Sequence, residues 1–311
     1  MPTSSEIGGE GKGGTVDCRL SGVVDHGSAL TSDDIEVLVV AFGAPALLAE
    51  CLTALGGELP IIVVDNSSDQ QVREIAEAHG ARYIDPGTNL GFASGVNLGL
   101  SQRRRPDADV LLLNPDAAVT LQGVSGLHRF LHDRPDLACA APTQVDPEGG
   151  SAARVGWPFP TPFGAWAEAF GLGRLRRGNT FVIGSVLLLR AEALAAVGDF
   201  DERFFLYAEE TDWQRRAFEL GWRTAICPHV TATHVGGGTG GDSTTRDIHF
   251  HGSHERYIRK YYGAGGWQVY RTGVMTGCLI RALTLRGERG RAAAARFDLY
   301  RRGPCLVESQ R

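Results

Sequence analysis

Three acids fall within four residues at Glu209, Glu210 and Asp212, directly after the aromatic run Phe204-Phe205-Leu206-Tyr207. Carboxylates crowded together and shielded by rings raise one another's pKa, which suits a general base. Acids are also favoured at a helix N-terminus by ~0.3–1 kcal/mol each. Asp212 is spaced to pair with Arg215 or Arg216 on the next turn. A second carboxylate closes the stretch Val110-Leu111-Leu112-Leu113-Asn114-Pro115-Asp116. Its apolar start reads as a strand buried on both faces, and Pro115 ends it for want of an N–H. Asp116 is thereby left at the strand's carboxyl end, where open α/β sheets bind ligands. There it suits a divalent cation on a phosphate, and equally a turn or helix cap. Asp65 ends Pro60–Asp65 in the same manner. His234 precedes Gly236-Gly237-Gly238 and is either a structural histidine or a further ligand beside a carboxylate. His249, His251 and His254 have only Glu255 for company, which argues against a metal site there.

These residues need a sheet to carry them. Buried strands are expected at Ile35–Phe42, Pro60–Asp65, Arg82–Ile84, Asp109–Leu113, Leu137–Ala141, Phe181–Leu189 and Trp222–Cys227. Helices are expected at Pro45–Leu55, Gln70–His79, Gly91–Arg103, Leu121–His132, Ala191–Val197 and Trp213–Leu220, most of them stopped by glycine. The alternation with short links predicts a mainly parallel sheet flanked by helices. Residues 146–178 interrupt the rhythm as a loop-rich insertion carrying Trp157, Phe159, Phe163 and Trp166, suited to stacking on a substrate ring or to anchoring itself. Val230–Gly241 reads as a loop. From Arg246 onward the pattern is helical, with a break at Gly263–Gly266. Its last part bears arginines from Arg271 to Arg302 among apolar residues such as Val274 and Leu279, a composition for an anionic membrane surface or for packing with arginines in water.

At 311 residues the chain suits one large α/β domain with an appendage. Three segments are expected: a disordered leader over 1–32, a main domain over 33–245 and a helical extension over 246–311. The net charge of −5 gives no global signature for nucleic acid. Six scattered cysteines form no C-x-x-C, so reduced thiols and a cytoplasmic setting are expected. No signal peptide and no membrane-spanning run is seen. Ala41-Phe42-Gly43-Ala44-Pro45 follows the first strand in place of G-x-G-x-x-G, and no P-loop is present.

Taken in order, Val64-Asp65-Asn66-Ser67-Ser68-Asp69, Asn89-Leu90-Gly91-Phe92-Ala93-Ser94-Gly95-Val96-Asn97-Leu98-Gly99, Leu113-Asn114-Pro115-Asp116 and Val197 through Asp212, with Pro228 and His234 after them, resemble the family-2 inverting glycosyltransferases. The likeness is greatest to a rhamnosyltransferase-type branch of polysaccharide and cell-wall assembly, and runs from about Ile35 to Tyr262. It implies a GT-A fold, a dTDP- or UDP-sugar donor, and Mg²⁺ or Mn²⁺. By that resemblance Asp65 contacts the base or ribose, and Asn89, Gly91, Asn97 and Asn114 serve the nucleotide sugar. Asp116 holds the cation, with His234 as another ligand, and Asn114 replaces the first acid of the family's Asp-x-Asp. Glu210 stands where the family usually has a catalytic Asp; Glu209 and Asp212 remain alternatives for the base. Ala41 and Phe42 lie where the family has Thr or Ser, then Tyr, in base recognition. Trp157 and Glu209 fall to the acceptor side.

The expected reaction moves a sugar, L-rhamnose by the branch, to a glycan, lipid-linked or natural-product hydroxyl. Peripheral contact with the inner face of the plasma membrane and a homodimer accompany that expectation. A non-catalytic nucleotide-sugar-binding module and a sugar nucleotidyltransferase are the competing readings.

Overall fold

The computed structural model describes residues 34–146, 152–175, 180–236 and 243–310. The leader, Gly149-Gly150 and the glycines after Gly236 lie outside them. Strands β1 (Ile35–Ala41), β2 (Ile61–Asp65), β3 (Arg82–Ile84) and β4 (Asp109–Leu113) alternate with helices α1 (Pro45–Leu55), α2 (Gln70–Ala78) and α3 (Phe92–Ser101). Next come β5 (Ala117–Ala118), α4 (Leu121–His132), β6 (Leu137–Val145), β7 (Gly156–Trp157) and α5 (Pro162–Ala169). They are followed by β8 (Phe181–Val182), β9 (Val186–Leu189), α6 (Ala191–Val197), α7 (Glu209–Glu219) and β10 (Arg223–His234). Helices α8 (Ser243–Thr284), α9 (Gly287–Arg302) and α10 (Pro304–Glu308) close the chain.

The main sheet has the order β3-β2-β1-β4-β9-β6-β10-β5. Only β9 and β5 run against the other strands. Strand alternation sends Val37, Val39, Leu111 and Leu113 to one face, under α1, α2 and α4. Leu38, Val40, Val110 and Leu112 go to the other, under α3, α6 and α7. Gly95 and Gly99 would weaken an exposed helix, but here they allow α3 to lie close on the sheet. A Cβ on Gly99 would stand 2.2 Å from a Leu38 methyl, and one on Gly95 2.8 Å from Val40. Local chemistry sets the helix ends: Pro45 and Pro162 occupy first turns, and Asp69, Thr120 and Thr161 accept backbone N–H bonds as caps.

Four sequence expectations need correction. The insertion is not mainly loop: β7 and β8 pair with each other, and α5 with a short 3₁₀ turn (Leu172–Leu175) packs on α8. Phe181–Leu189 is not one strand, because Gly184-Ser185 separates β8 from β9. Val230–His234 is not loop but the end of β10, held by pairing with β6 and β5. The break expected over Gly263–Gly266 is a kink at Gly263 alone, with φ 65°. Among the described residues no helix is long and apolar enough to cross a membrane.

Candidate active site

The carboxyl ends of β1, β2 and β4 lie at one sheet edge, with Ala41 paired to Asp65. Asp116 follows β4 by three residues and is almost wholly buried. Strand β5 sets His234 opposite Ala117, and the Val235 amide donates to the Asp116 carbonyl at 3.0 Å. This brings His234 Nε2 to 3.4 Å from Asp116 Oδ1. On the other side, Asn114 donates its amide to the Ser185 carbonyl at 2.8 Å. The preceding Gly184 abuts Glu210: a Cβ there would meet Glu210 Cβ at 3.5 Å. The Gly184-Ser185 pair thus contacts both the Asp116 segment, through Asn114, and Glu210 at the start of α7.

The entry to α7 is strained. Tyr207 and Ala208 both adopt left-handed backbone, with φ 68° and 67°. Such residues cost ~1–3 kcal/mol each and concentrate at functional sites. The Tyr207 phenol is raised by its burial; Arg246 opposes this, while Glu209 and Asp116 add to it. Tyr207 therefore lies within the fields of both acidic segments. The turn aims Glu210 into a cleft of about 820 Å³ bounded by Trp157, Phe181, Phe250, Tyr257, Val274 and Arg281 among others.

The three clustered acids take separate roles. Burial raises the Glu210 carboxyl above the usual range, against the pull of backbone amides at its own helix start and at Gly184. Glu209 is buried at 4% exposure, and burial first, then the Glu210 charge, raise it well above its ordinary value. Its Oε2 has no hydrogen-bond partner. Its assignment to the acceptor is corrected: Glu209 is buried and does not line the cleft, whereas Glu210 and Thr211 do. Asp212 is wholly buried and bonded to Lys260 (2.5 Å), Tyr261 (2.8 Å) and Arg216 (3.0 Å). It has no room for a proton-transfer role.

On the nucleotide side, Phe42 stands 40% exposed beyond β1, and Asn114 and the exposed Asn89 lie on the same side. The other residues assigned there hold backbone in place. Ala41 is fully buried in the core and its carbonyl accepts the Asn66 amide. A carboxylate offers about four acceptor positions. Those of Asp65 are filled by the amide and hydroxyl of Ser67, the Asp69 amide and the Tyr83 hydroxyl. Asp65 thus shapes the turn that presents Asn66, Ser67 and Ser68. Asn97 clasps Phe200 through both its backbone groups, at 2.9 Å each. Gly91 is required by contact: its φ is 80°, and a Cβ would fall 2.5 Å from the Phe205 carbonyl.

His249, His251 and His254 are each held by a protein partner, although His251 and His254 also line the cleft. His251 bonds Tyr300 at 3.0 Å, and burial pushes its pKa down to about 3. His249 pairs with Glu308 and His254 with the Phe250 carbonyl. Asp109, His128 and His132 cluster closely enough for one ion, but at the amino end of β4, away from Asp116. His132 already lies 2.8 Å from Asp109, which also accepts the Ala191 amide at the start of α6.

Residues 36–198, just over half of the chain, match Glycosyl transferase family 2. The chain belongs to that family. This family 2 glycosyltransferase is 26% identical over 211 residues to the low-salt glycan biosynthesis hexosyltransferase Agl10 of Haloferax volcanii, covering 65% of this chain and 67% of that one. It is 27% identical over 235 residues to the N-acetylglucosaminyl-diphospho-decaprenol L-rhamnosyltransferase of Mycobacterium tuberculosis, covering 65% and 76%. In fold it is similar to glucosyl-3-phosphoglycerate synthase of M. tuberculosis, solved with Mn²⁺, UDP and phosphoglyceric acid, at a TM-score of 0.53, 15% identity and coverage of 73% and 78%. The sheet and its flanking helices are those of the GT-A fold.

The Asp116–His234 pair fits the divalent cation that this glycosyltransferase family implies. Neighbouring ligands of one ion at ~2.1 Å bonds stand ~3 Å apart, close to the 3.4 Å between these two atoms.

Sequence reasoning passed over Gly184-Ser185, the Tyr207-Ala208 turn and the cleft walls supplied by α8 and α9. The glycine inside Phe-Val-Ile-Gly-Ser-Val was a readable sign of a strand interruption. The helical walls left no such mark.

Proposed function

We propose that this glycosyltransferase is an inverting, metal-dependent enzyme. It would transfer a hexose, with L-rhamnose from dTDP-rhamnose as first choice and UDP-sugars next, to an acceptor hydroxyl. The acceptor class is a glycan, lipid-linked or natural-product hydroxyl compound, met at the inner face of a membrane. The observation that carries the reading is Glu210 in the wall of the cleft, linked through Gly184-Ser185 to the Asp116–His234 edge. The M. tuberculosis relative named as a rhamnosyltransferase supports the choice of sugar.

In the mechanism, the Glu210 carboxylate removes the proton of the acceptor O–H. The oxygen forms a bond to the anomeric carbon from the face opposite the diphosphate. The bond from that carbon to the diphosphate oxygen breaks, the nucleoside diphosphate leaves, and configuration inverts. Asp116 and His234 would hold a divalent cation, which would supply Lewis-acid neutralisation of the leaving diphosphate. Glu209 stays buried beside the base, and burial together with the Glu210 charge holds it well above the usual carboxylate range. Tyr207 and Ala208 hold the base at the cleft.

The test is a panel of nucleotide sugars and acceptors scored for released nucleoside diphosphate. Glu210→Gln should lower turnover ~10²–10⁴-fold while donor binding by calorimetry survives. Full turnover in that variant removes Glu210 from the mechanism. Pyrophosphate release in place of a nucleoside diphosphate points instead to a nucleotidyltransferase.

A further inference from the structure

We propose that the paired carboxyl ends of α5 and α8, with the start of α9, form a docking edge for an anionic bilayer, from which an amphiphilic acceptor enters the cleft sideways. The acceptor part rests on the function proposed above; the docking part stands on the surface itself.

Helices α5 and α8 lie side by side and run the same way. A Cβ on Gly273 would meet the Trp166 side chain at 2.9 Å, and one on Gly277 would meet Ala169 Cα at 3.0 Å. Further along, Arg281 donates to the Glu168 carbonyl at 3.1 Å. The carboxyl end of α5 therefore lies against the last turns of α8, which runs on to Thr284. At that end the chain turns large apolar side chains outward. Phe170 is 60% exposed, Leu172 52% and Leu175 70% on the α5 side. Leu279 is 49% exposed, Leu283 79% and Leu285 40% on the α8 side. Half of the exposed large hydrophobics among the described residues, with Ile280, collect at this one end. Large apolar side chains exposed in such number at one end of the molecule mark an interaction site.

The charge around the patch identifies what covers it. Residues 281–291 hold Arg281, Arg286, Arg289 and Arg291, all exposed, against Glu288 alone. Leu279 and Leu283 share one face of α8 at i and i+4, and Arg286 stands in the link between α8 and α9 just beyond them. Apolar side chains rimmed by arginines match the acyl and headgroup layers of an anionic leaflet. The cleft reaches the same edge, because Arg281, Leu285 and Arg289 belong to its wall as well as to this surface. A hydrophobic tail thus passes from bilayer to cleft without crossing water, while Glu210 waits inside for the hydroxyl.

Flotation of the full chain with vesicles tests this. Wild type should float with vesicles of equal parts phosphatidylglycerol and phosphatidylcholine, and several-fold less with phosphatidylcholine alone. Added salt should weaken the binding. The double substitution Leu283→Glu with Arg286→Glu, both on exposed positions, should reduce flotation ~tenfold or more. Leu220→Glu, at an exposed leucine elsewhere, should leave flotation unchanged. Wild type that stays in solution with the anionic vesicles, or a double variant that floats undiminished, overturns the proposal. So does a wild-type dimer in sedimentation that the double variant converts to monomer, since a second copy would then cover the patch. Transfer to a short water-soluble acceptor should be equal in wild type and the double variant. Flotation without transfer to any acceptor overturns the functional reading and leaves the docking edge standing.

Discussion

Glu209 and Glu210 are one residue apart, yet burial treats them differently. Glu210 lines the cleft and Glu209 does not, which is why Glu210 is the one proposed as the base. A base held above the ordinary carboxylate range ionises late. The rate kcat/KM should therefore climb with pH through that raised value and then level off, and this limb should vanish in Glu210→Gln. Glu209 bears on stability with a definite sign. Its folded form keeps the proton, whereas the unfolded chain releases it near ~4.3. Stability contributed by the protonated carboxyl is complete below that value and is lost as pH rises through the raised folded value. Glu209→Gln should thus match wild type in Tm at pH 4 and exceed it by a few degrees at pH 8. At Asp116 and His234, EDTA should abolish turnover and Mn²⁺ restore it. His234→Ala should raise the Mn²⁺ needed for half-activation by at least ~tenfold, since even outer-shell losses cost ~10–100-fold. Asp65 is the residue where motif and geometry part. Its type and place were plain in the sequence, but its four donors come from groups as far away as Tyr83, and only folding assembles them.

The element on which the site turns is α7. Its first turn carries the base, and its next residues fasten it: Asp212 binds Lys260 and Tyr261 of α8 and Arg216 of its own helix. Removing one partner of a buried ion pair is costly because the others lose their compensation. Asp212→Ala should cost about 3 kcal/mol in denaturant unfolding, with any loss of turnover tracking the loss of folded protein. A specific fall in kcat with unchanged stability would restore Asp212 as a base. The spacing to Arg216 was legible as an i,i+4 pair; the pairing to Lys260, 48 residues away, was not. Strand β10 shows the same divide. Its run past Cys227 looked like loop because Pro228 and a register shift break the alternation, and pairing with β6 and β5 overrides that.

At the scale of the whole molecule, the cleft bearing Glu210 is walled by the C-terminal helices α8 and α9 as well as by the family 2 region. Phe204 and Ala208 pack into a cluster with Tyr257, Trp267 and Tyr300, so the turn that aims Glu210 is built partly on α8 and α9. Trp157 lines the cleft, whereas Trp166 is spent on the Val269 carbonyl at 2.9 Å. Trp157→Ala should raise the acceptor KM ~tenfold, the worth of one aromatic contact. Donor hydrolysis without acceptor should stay at the wild-type rate. A variant that changed both equally would place Trp157 in general packing rather than in acceptor contact.

Local chemistry already specified the strands with their terminal acids, the proline and glycine punctuation and the ordered motifs of the family, because each depends on neighbours within a few residues. The partner of each acid lay beyond that range. Glu210 was separated from Glu209 by the cleft, which Glu210 lines and Glu209 does not, Asp212 was taken up by Lys260, and His234 was brought to Asp116 by a two-residue strand. The cleft itself exists only where α5, α8 and α9 meet. Such contacts join residues dozens to more than a hundred positions apart, and hydrophobic patterning carries no record of which distant side chain will fill the remaining hydrogen-bonding position.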